Sequence, residues 1–328
     1  IFLIGQQLST LRYLTILMGG LINNSNSAAT DIWVVDHKTN NINILSKIDA
    51  RLTQELRSIK GVKTSHAIVV ANASVAMENG TSTGINLVGS EGPTFIAGPN
   101  PEKIMTGSLA ALFASNAVSA EYFNAKNLGG SLHINQLFEL NNKQAVLKVM
   151  TKNAQGFGGE YMYTNIQNAR FYGNFPADKV SAIVLSVEAH ADRQAIINSI
   201  NKTFYGVRAW DVEKLNEATV KEILVSSNMG VSFGSLVIFA VISGFFIIGL
   251  TLYSSALDRL TDYGTLKAIG ASNGYVSRLI FVQALLFALI GFLIAIALLY
   301  GFKTGVSAAG LDIIIDWKLL AILAATTL

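Results

Sequence analysis

Two long apolar runs near the C-terminal end dominate the pattern of hydrophobic and polar positions. They cover residues 231–253 and 279–302, and neither contains a formally charged side chain. Each is close to the roughly 20 residues that a helix needs to cross a hydrocarbon core of about 30 Å. The pattern therefore predicts membrane-spanning helices at 229–254 and 278–302, joined by the polar stretch 255–277.

The polar stretch between these runs has a helical pattern of its own. Apolar residues recur at every third position, and acidic and basic residues fill the other faces. We expect Gly270 to end this helix in a left-handed backbone conformation, and Ser272 to cap the next helix. The pattern alone fits two interpretations equally well: a docking surface for a soluble partner, or a helix that lies on lipid headgroups. The candidate site residues within this predicted helix, 256–270, are Leu257, Asp258, Arg259, Asp262, Tyr263, Leu266, Lys267, Ile269 and Gly270.

Apolar residues also predominate at both ends of the chain. Arg12 interrupts the segment 1–22, and because arginine is costly at a bilayer centre, we expect it to snorkel or to lie outside the core. We interpret 1–22 as the end of a first span that continues as a stalk helix, with a fully soluble helix as the alternative. Residues 303–317 predict a short outer loop and residues 318–328 the start of a fourth span. We expect both ends of the chain to be truncated.

The segment 23–228 alternates short strands, helices and turns. A strand–helix–strand order near 31–70 recurs near 180–210. It predicts a two-part subdomain, about 30–90 and 160–215, with an inserted block at about 91–159. The predicted elements are strands at 31–36, 62–77, 84–88, 131–137, 145–150, 180–187 and 207–210, helices at 45–59, 191–204 and 211–229, a broken helical segment at 103–127, and hairpin turns at Asn79-Gly80 and Asn141-Asn142.

The predicted fold class is therefore a four-span α-helical membrane protein with a large α+β extracytoplasmic domain between spans 1 and 2. Composition agrees, because 14% of the 328 residues are charged against roughly 25% in soluble domains. A net charge of +3 is too small to indicate nucleic-acid binding. The chain has no cysteine, which excludes disulfides, thiolate metal sites and a cysteine nucleophile.

Positively charged residues in the short loops predict the orientation. The 254–278 loop contains Arg259, Lys267 and Arg278, whereas the 303–316 loop contains only Lys303 and two aspartates. Since short cytoplasmic loops carry an excess of lysine and arginine, the first loop is expected in the cytoplasm and the α+β domain outside.

The sequence matches to catalytic and phosphate-binding motifs lack the structural context that their chemistry requires. The stretch 230–234 matches the nucleophile pattern G-x-S-x-G, but it opens an apolar helix instead of joining a strand to a helix. The stretch 301–304 lacks the glycine that a phosphate-binding loop needs before its lysine. We predict neither an enzyme nor a bound cofactor or metal. The four histidines are scattered at His37, His66, His133 and His190.

The order of elements and several motifs resemble the MacB/FtsX-type ABC transporter permeases. The stretch 258–272 resembles that family's cytoplasmic signature, in which acidic and basic residues precede G-x-L-(K/R)-A-(I/L)-G-A-S. The stretches 228–234 and 251–255 are similar to the DevC-like exporter permeases, and 31–36 resembles the first strand of the outer domain. Where the wider family often has Glu-Ile-Gly, this chain has Asp-Tyr-Gly at 262–264.

The resemblance implies a multi-pass homodimeric permease in the bacterial inner membrane with its large domain in the periplasm. A separate ATPase, which carries ATP and Mg²⁺, would dock on the 256–270 helix. Leu257, Leu266 and Ile269 would seat that helix, and Arg259 and Lys267 would pair with acidic residues of the ATPase.

In such efflux exporters, closure of the ATPase dimer drives substrate through a periplasmic membrane-fusion adaptor and an outer-membrane channel. The alternative is an FtsX-like protein that activates an extracytoplasmic cell-wall hydrolase and moves no substrate. A membrane-anchored enzyme would need a catalytic constellation that the sequence does not offer.

Overall fold

The computed structural model describes residues 1–26, 30–77 and 80–327. The chain divides into two compact units, and the second is a continuous segment within the sequence of the first. Unit 1 comprises Ile1–Tyr13 and Ser227–Leu328, and unit 2 comprises Leu14–Ser226. The predicted turn at Asn79-Gly80 lies partly outside the described residues.

The helices of the described residues are α1 (Phe2–Met18), α2 (Gly20–Asn23), α3 (Leu52–Arg57), α4 (Ile166–Gly173), α5 (Arg193–Thr203), α6 (Val212–Ser226), α7 (Met229–Asp258), α8 (Leu260–Ala268), α9 (Asn273–Ser307) and α10 (Trp317–Thr327). The strands are β1 (Ile32–Asp36), β2 (Ile48–Asp49), β3 (Val62–Ala76), β4 (Ser82–Ser90), β5 (Ile104–Thr106), β6 (Ala117–Glu121), β7 (Leu137–Leu140), β8 (Lys143–Thr151), β9 (Glu160–Asn165), β10 (Lys179–Val180), β11 (Ala182–Val187) and β12 (Val207–Asp211).

The centre of unit 2 is a four-stranded antiparallel sheet in the order β12-β1-β11-β3. Along the chain its elements run β1-α3-β3-β11-α5-β12, which is the split βαββαβ arrangement of ferredoxin-like folds. The repeated strand–helix–strand order predicted from the sequence corresponds to its two halves. β1 lies in the middle, where Val34 is paired with Ile183 of β11 and with Ala209 of β12.

Both faces of this sheet are buried, and the alternation of side chains along β1 shows how. Ile32 and Val34 pack with residues of α3 and α5 on one face. Trp33 and Val35 pack with Leu215 of α6 on the other face. Because successive side chains of a strand point to opposite faces, a continuous apolar run is what a strand covered on both sides requires.

A block of strands is inserted between β3 and β11 and extends the sheet. β3 and β4 form a long hairpin, paired from Ile68↔Ser90 to Ala76↔Ser82. β7 and β8 form a second hairpin, whose turn residues Asn141 and Asn142 have φ angles of 49° and 61°. Two adjacent positive φ angles are typical of the type I′ turn that matches strand twist, and the predicted turn is present at this position.

Three predicted elements of unit 2 are wrong. The helix predicted at 45–59 is reduced to α3, because Ile48 and Asp49 form β2 and pair with β10. The helical segment predicted at 103–127 contains the strands β5 and β6, both of which pair with β8. The strand predicted at 131–137 begins only at Leu137, as β7.

Unit 1 contains the two long apolar helices. α7 and α9 are long and apolar enough to cross a membrane. At 1.5 Å per residue they measure about 45 Å and about 52 Å, more than the roughly 30 Å of a hydrocarbon core. α9 ends at Ser307, so the loop predicted at 303–317 is reduced to residues 308–316, and α10 begins at Trp317.

Within unit 1, α1 packs on α9 and α10. Ile4 is buried with Leu299 and Leu323, and a Cβ atom on Gly5 would lie 2.7 Å from Leu299. Closer to unit 2 along the chain, the same helix forms polar contacts with the 308–316 loop.

Arg12 has a specific partner in this loop. Its guanidinium forms an ion pair with the Asp316 carboxylate, and the neighbouring Tyr13 hydroxyl donates to the Gly310 carbonyl at 2.8 Å. Asp316 also accepts from the Leu319 amide at 3.1 Å, which caps α10. The hydrogen bond from Arg12 lowers the pKa of the Asp316 carboxyl. A charged partner thus accompanies the arginine that the sequence places in an apolar segment.

Candidate functional site

The candidate site is the connection between α7 and α9, which contains α8. The helix predicted at 256–270 is divided in two: Leu257 and Asp258 form the end of α7, and α8 runs from Leu260 to Ala268. Arg259, with φ −102° and ψ 12°, lies between them outside regular helical geometry. The predicted helix is therefore interrupted at Arg259.

Gly270 ends α8 as the sequence predicts. Its φ angle is +103°, in the region that favours glycine. The Gly270 amide donates to the Lys267 carbonyl and the Ala271 amide donates to the Leu266 carbonyl, both at 3.0 Å. These two bonds constitute a Schellman motif, which satisfies carbonyls at a helix C-terminus that otherwise have no partner.

Ser272 caps α9, also as predicted. Its Oγ atom accepts from the Tyr275 amide at 3.3 Å, and its ψ angle of 156° is extended. Residues 269–272 are all that separate α8 from α9. A helix stop and a helix cap therefore follow each other directly between α8 and α9.

The apolar side chains of this connection are largely exposed to solvent. Leu257 is 46% exposed, Leu260 58% and Ile269 78%. Tyr263 and Leu266, which lie one turn apart on α8, are half-buried. Leu257 and Ile269, predicted to seat the helix, are thus exposed in the chain, and exposed apolar side chains that lie together are typical of an interaction site.

The charged side chains of the connection are exposed as well. Across the described ranges, Asp258, Arg259, Asp262 and Lys267 form no ion pair. Two acidic and two basic groups around exposed leucines and isoleucine can therefore pair with a partner of complementary charge. Their roles in docking remain predictions.

Gly264, in the middle of α8, was not among the predicted site residues. A Cβ atom at this position would have no neighbour within 4 Å, so no contact in the described chain requires glycine. Glycine inside a helix costs about 0.5–1 kcal/mol relative to alanine. The signal that could have identified it is a glycine within a helical pattern, which lowers helix propensity without ending the helix.

A hydrogen bond that the sequence did not predict joins the two long helices next to the site. The Gln283 side-chain amide of α9 donates to the Ser255 hydroxyl of α7 at 3.4 Å. Gln283 stands out in the sequence as a polar residue within an apolar run, but only the structure shows its partner.

Residues with possible catalytic or metal-binding roles are not gathered here. Ser232, of the G-x-S-x-G match, lies in the first turn of α7, and its hydroxyl donates to the Asn228 carbonyl at 3.1 Å. In the part of the chain that the structure describes, no three His, Asp or Glu side chains form a potential metal site.

A comparison with protein families identifies the C-terminal part of the chain. Residues 234–328 match the family described as "FtsX-like permease C-terminal". This part, which contains most of α7, all of α8 and α9, and α10, is similar to the C-terminal region of FtsX-like permeases. The resemblance to MacB/FtsX-type permeases is thereby confirmed.

Two solved structures are similar to part of this chain at low sequence identity. The periplasmic region of MacB from Actinobacillus actinomycetemcomitans is 8% identical with a TM-score of 0.44, over 60% of this chain and 94% of that one. The extracellular domain of the noncanonic ABC-type transporter YknZ from Gram-positive bacteria is 12% identical with a TM-score of 0.41, over 56% of this chain and 100% of that one. No curated protein sequence matches the chain.

Proposed function

We propose that the chain is the permease subunit of an ABC-type exporter that works by mechanotransmission. It catalyses no reaction itself, and a separate ATPase binds and hydrolyses ATP with Mg²⁺. The family match of residues 234–328 supports the general assignment. The DevC-like subtype and the homodimer remain predictions from the sequence resemblance.

One observation carries this proposal. α8 presents exposed apolar and charged side chains between two helices of membrane-spanning length. The Schellman motif at Gly270 and the cap at Ser272 leave little freedom between α8 and α9. A force applied to α8 by a docked ATPase is therefore passed to a long helix instead of being absorbed by a flexible loop.

The orientation follows from the basic residues of the loop. Arg259, Lys267 and Arg278 lie on the α8 side of the two long helices, and Lys303 lies near the other end of α9. This asymmetry supports a cytoplasmic α8. In the inner membrane of a bacterium, unit 2 then lies in the periplasm, where it drives substrate through a membrane-fusion adaptor and an outer-membrane channel.

The sharpest test uses Ile269, since it is 78% exposed and its replacement removes little packing within the chain. We expect Ile269→Asp to abolish copurification of the ATPase from native membranes and to abolish export, with unchanged expression. Leu266 is a less suitable target because it is half-buried. The matched control is Ile44→Asp in unit 2, where the isoleucine is 71% exposed, and this variant should retain both properties.

Normal ATPase binding by Ile269→Asp would contradict the docking role of α8. Mass spectrometry of the proteins that copurify with the wild-type chain distinguishes the exporter from the FtsX-like activator of a cell-wall hydrolase. An ATPase with a membrane-fusion adaptor supports the exporter, whereas an ATPase with a cell-wall hydrolase supports the FtsX-like alternative. Absence of any ATPase would contradict both.

A further inference from the structure

Arg193, the first residue of α5, joins two parts of unit 2 that are distant in sequence. Its Nη1 atom donates to Asp211 Oδ2 at 3.0 Å, and its Nη2 atom donates to Asp31 Oδ1 at 2.5 Å. Asp31 directly precedes β1, and Asp211 is the last residue of β12, before α6. The guanidinium thus connects the place where the chain enters the βαββαβ sheet with the place where it leaves.

Both aspartates are themselves fixed by backbone hydrogen bonds. Asp31 Oδ2 accepts from the Val187 amide at 2.8 Å, which ties it to the end of β11. Asp211 Oδ1 accepts from the Glu213 amide at 3.0 Å and so caps α6. One carboxylate oxygen of Asp211 therefore holds the start of α6 while the other holds Arg193.

This arrangement differs from an ordinary surface ion pair. The side chains of Asp31 and Asp211 are only 24% and 17% exposed, and that of Arg193 is 39% exposed. The hydrogen bond to Asp211 raises the pKa of Arg193, so the group stays charged. A planar guanidinium can donate to two carboxylates at fixed angles, whereas the ammonium of lysine is a point charge without this geometry.

We propose that Arg193 is a positioning residue that fixes the direction in which α6 leaves the sheet of unit 2. α6 is the helix after which the chain passes to α7 in unit 1. Without Arg193, α6 keeps its cap at Asp211, the bond from the Val212 amide to the Asp31 carbonyl and the bond from Lys214 Nζ to Gln194 Oε1 of α5. It loses the guanidinium that joins the capping carboxylate to α5 and to the Asp31 carboxylate. The relevance to force transmission rests on the proposed function, but the direction of α6 can be measured without an ATPase.

The experiment is a distance measurement by pulsed electron paramagnetic resonance on the full chain in lipid nanodiscs. Because the chain contains no cysteine, spin labels can be attached at Ser199→Cys on α5 and Glu222→Cys on α6, both of which are exposed. Dilution with unlabelled protein removes distances between copies. We expect one narrow distance in the Arg193 chain, loss of that narrow distance in Arg193→Met, and partial recovery in Arg193→Lys.

The matched control is Arg51→Met. Arg51 also pairs with an aspartate, since its Nη2 atom donates to Asp49 Oδ2 at 2.7 Å, but its side chain is 85% exposed and the pair lies within one short segment. This variant should keep the narrow distance. An unchanged distance in Arg193→Met would overturn the proposal.

If Arg193→Met does not fold, the same distance measurement on Asp211→Asn tests the proposal. Asparagine remains a good helix cap but removes the charge that pairs with Arg193, so the proposal expects loss of the narrow distance with unchanged helix content. A narrow distance in this variant would overturn it. Export measured in the same variants is a separate readout: a lost narrow distance with normal export would leave the positioning role intact and contradict force transmission through α6.

Discussion

Two glycines of the α8 connection should respond in opposite directions to the same substitution. Gly270 has a φ angle of +103°, whereas Gly264 lies in the middle of α8. At neither position would a Cβ atom have a neighbour within 4 Å. Steric contact is therefore absent at both positions, and only the backbone conformation distinguishes Gly270→Ala from Gly264→Ala.

The expected magnitudes follow from that conformation. A left-handed backbone costs an L-residue about 1–2 kcal/mol, which corresponds to a 5- to 30-fold change in a local equilibrium. Gly264→Ala should instead stabilise α8 by about 0.5–1 kcal/mol, or roughly two- to fivefold.

Hydrogen–deuterium exchange provides the assay. The reporting amides are those of residues 270 and 271, whose bonds to the Lys267 and Leu266 carbonyls break when the end of α8 opens. With correction for intrinsic rates, these amides should exchange faster in Gly270→Ala. The amides of α8 itself should exchange more slowly in Gly264→Ala, while peptides from unit 2 stay unchanged as the internal control.

Equal protection of these amides in Gly270→Ala and in the wild type would refute the role of the positive φ in ending α8. If Gly264→Ala stabilises α8 but weakens binding of the ATPase, the glycine is required by a partner that approaches the helix backbone closely. Equal binding would assign it no such role.

Two further predictions concern buried and paired charges. Burial raises the pKa of the Glu121 carboxyl, so the folded chain keeps this proton at pH values at which the unfolded chain has lost it, and the free energy of unfolding falls as the pH rises through this range. Calorimetry should show that Glu121→Gln reduces this slope. At low pH the variant should lose about 1–3 kcal/mol, because one carboxyl oxygen accepts from Thr151 and Ala154 and the other from Asn153, and one of the two is replaced by an amide N–H group in glutamine. Asp316→Arg should lower the thermal midpoint of the purified protein by placing two like charges together, and the double variant Arg12→Asp with Asp316→Arg should recover part of the loss; no recovery would contradict a specific pair.

Local signals in the sequence account for the parts that could be predicted. The stop at Gly270 and the cap at Ser272 depend on residues next to them, and the structure contains both. The apolar runs of β3 and β11 are long enough to indicate strands by themselves. For the same reason, the two membrane-length helices could be placed to within about five residues at each end, and the predicted start at residue 229 is where α7 begins.

The failures depend on partners far along the chain. β6 pairs in parallel with β8, from Ala117↔Val146 to Glu121↔Thr151, and an alanine-rich stretch has no local property that identifies such a partner. β2 exists only because Lys179 and Val180 lie beside it. The exposure of Leu257 and Ile269 is likewise not a local property, since an apolar residue in a helical pattern is more often buried.

The chain enters and leaves the βαββαβ sheet at neighbouring positions. Ile32 and Asp211 are paired across β1 and β12, and the Val212 amide donates to the Asp31 carbonyl at 3.2 Å. A domain whose ends meet can be inserted into a connection between two helices without moving them apart. The block of strands inserted between β3 and β11 has the same property, because Ile68 and Ala182, where the chain leaves the sheet and returns to it, are paired. The sequence thus contains one segment within another, and each begins and ends at paired positions of the sheet.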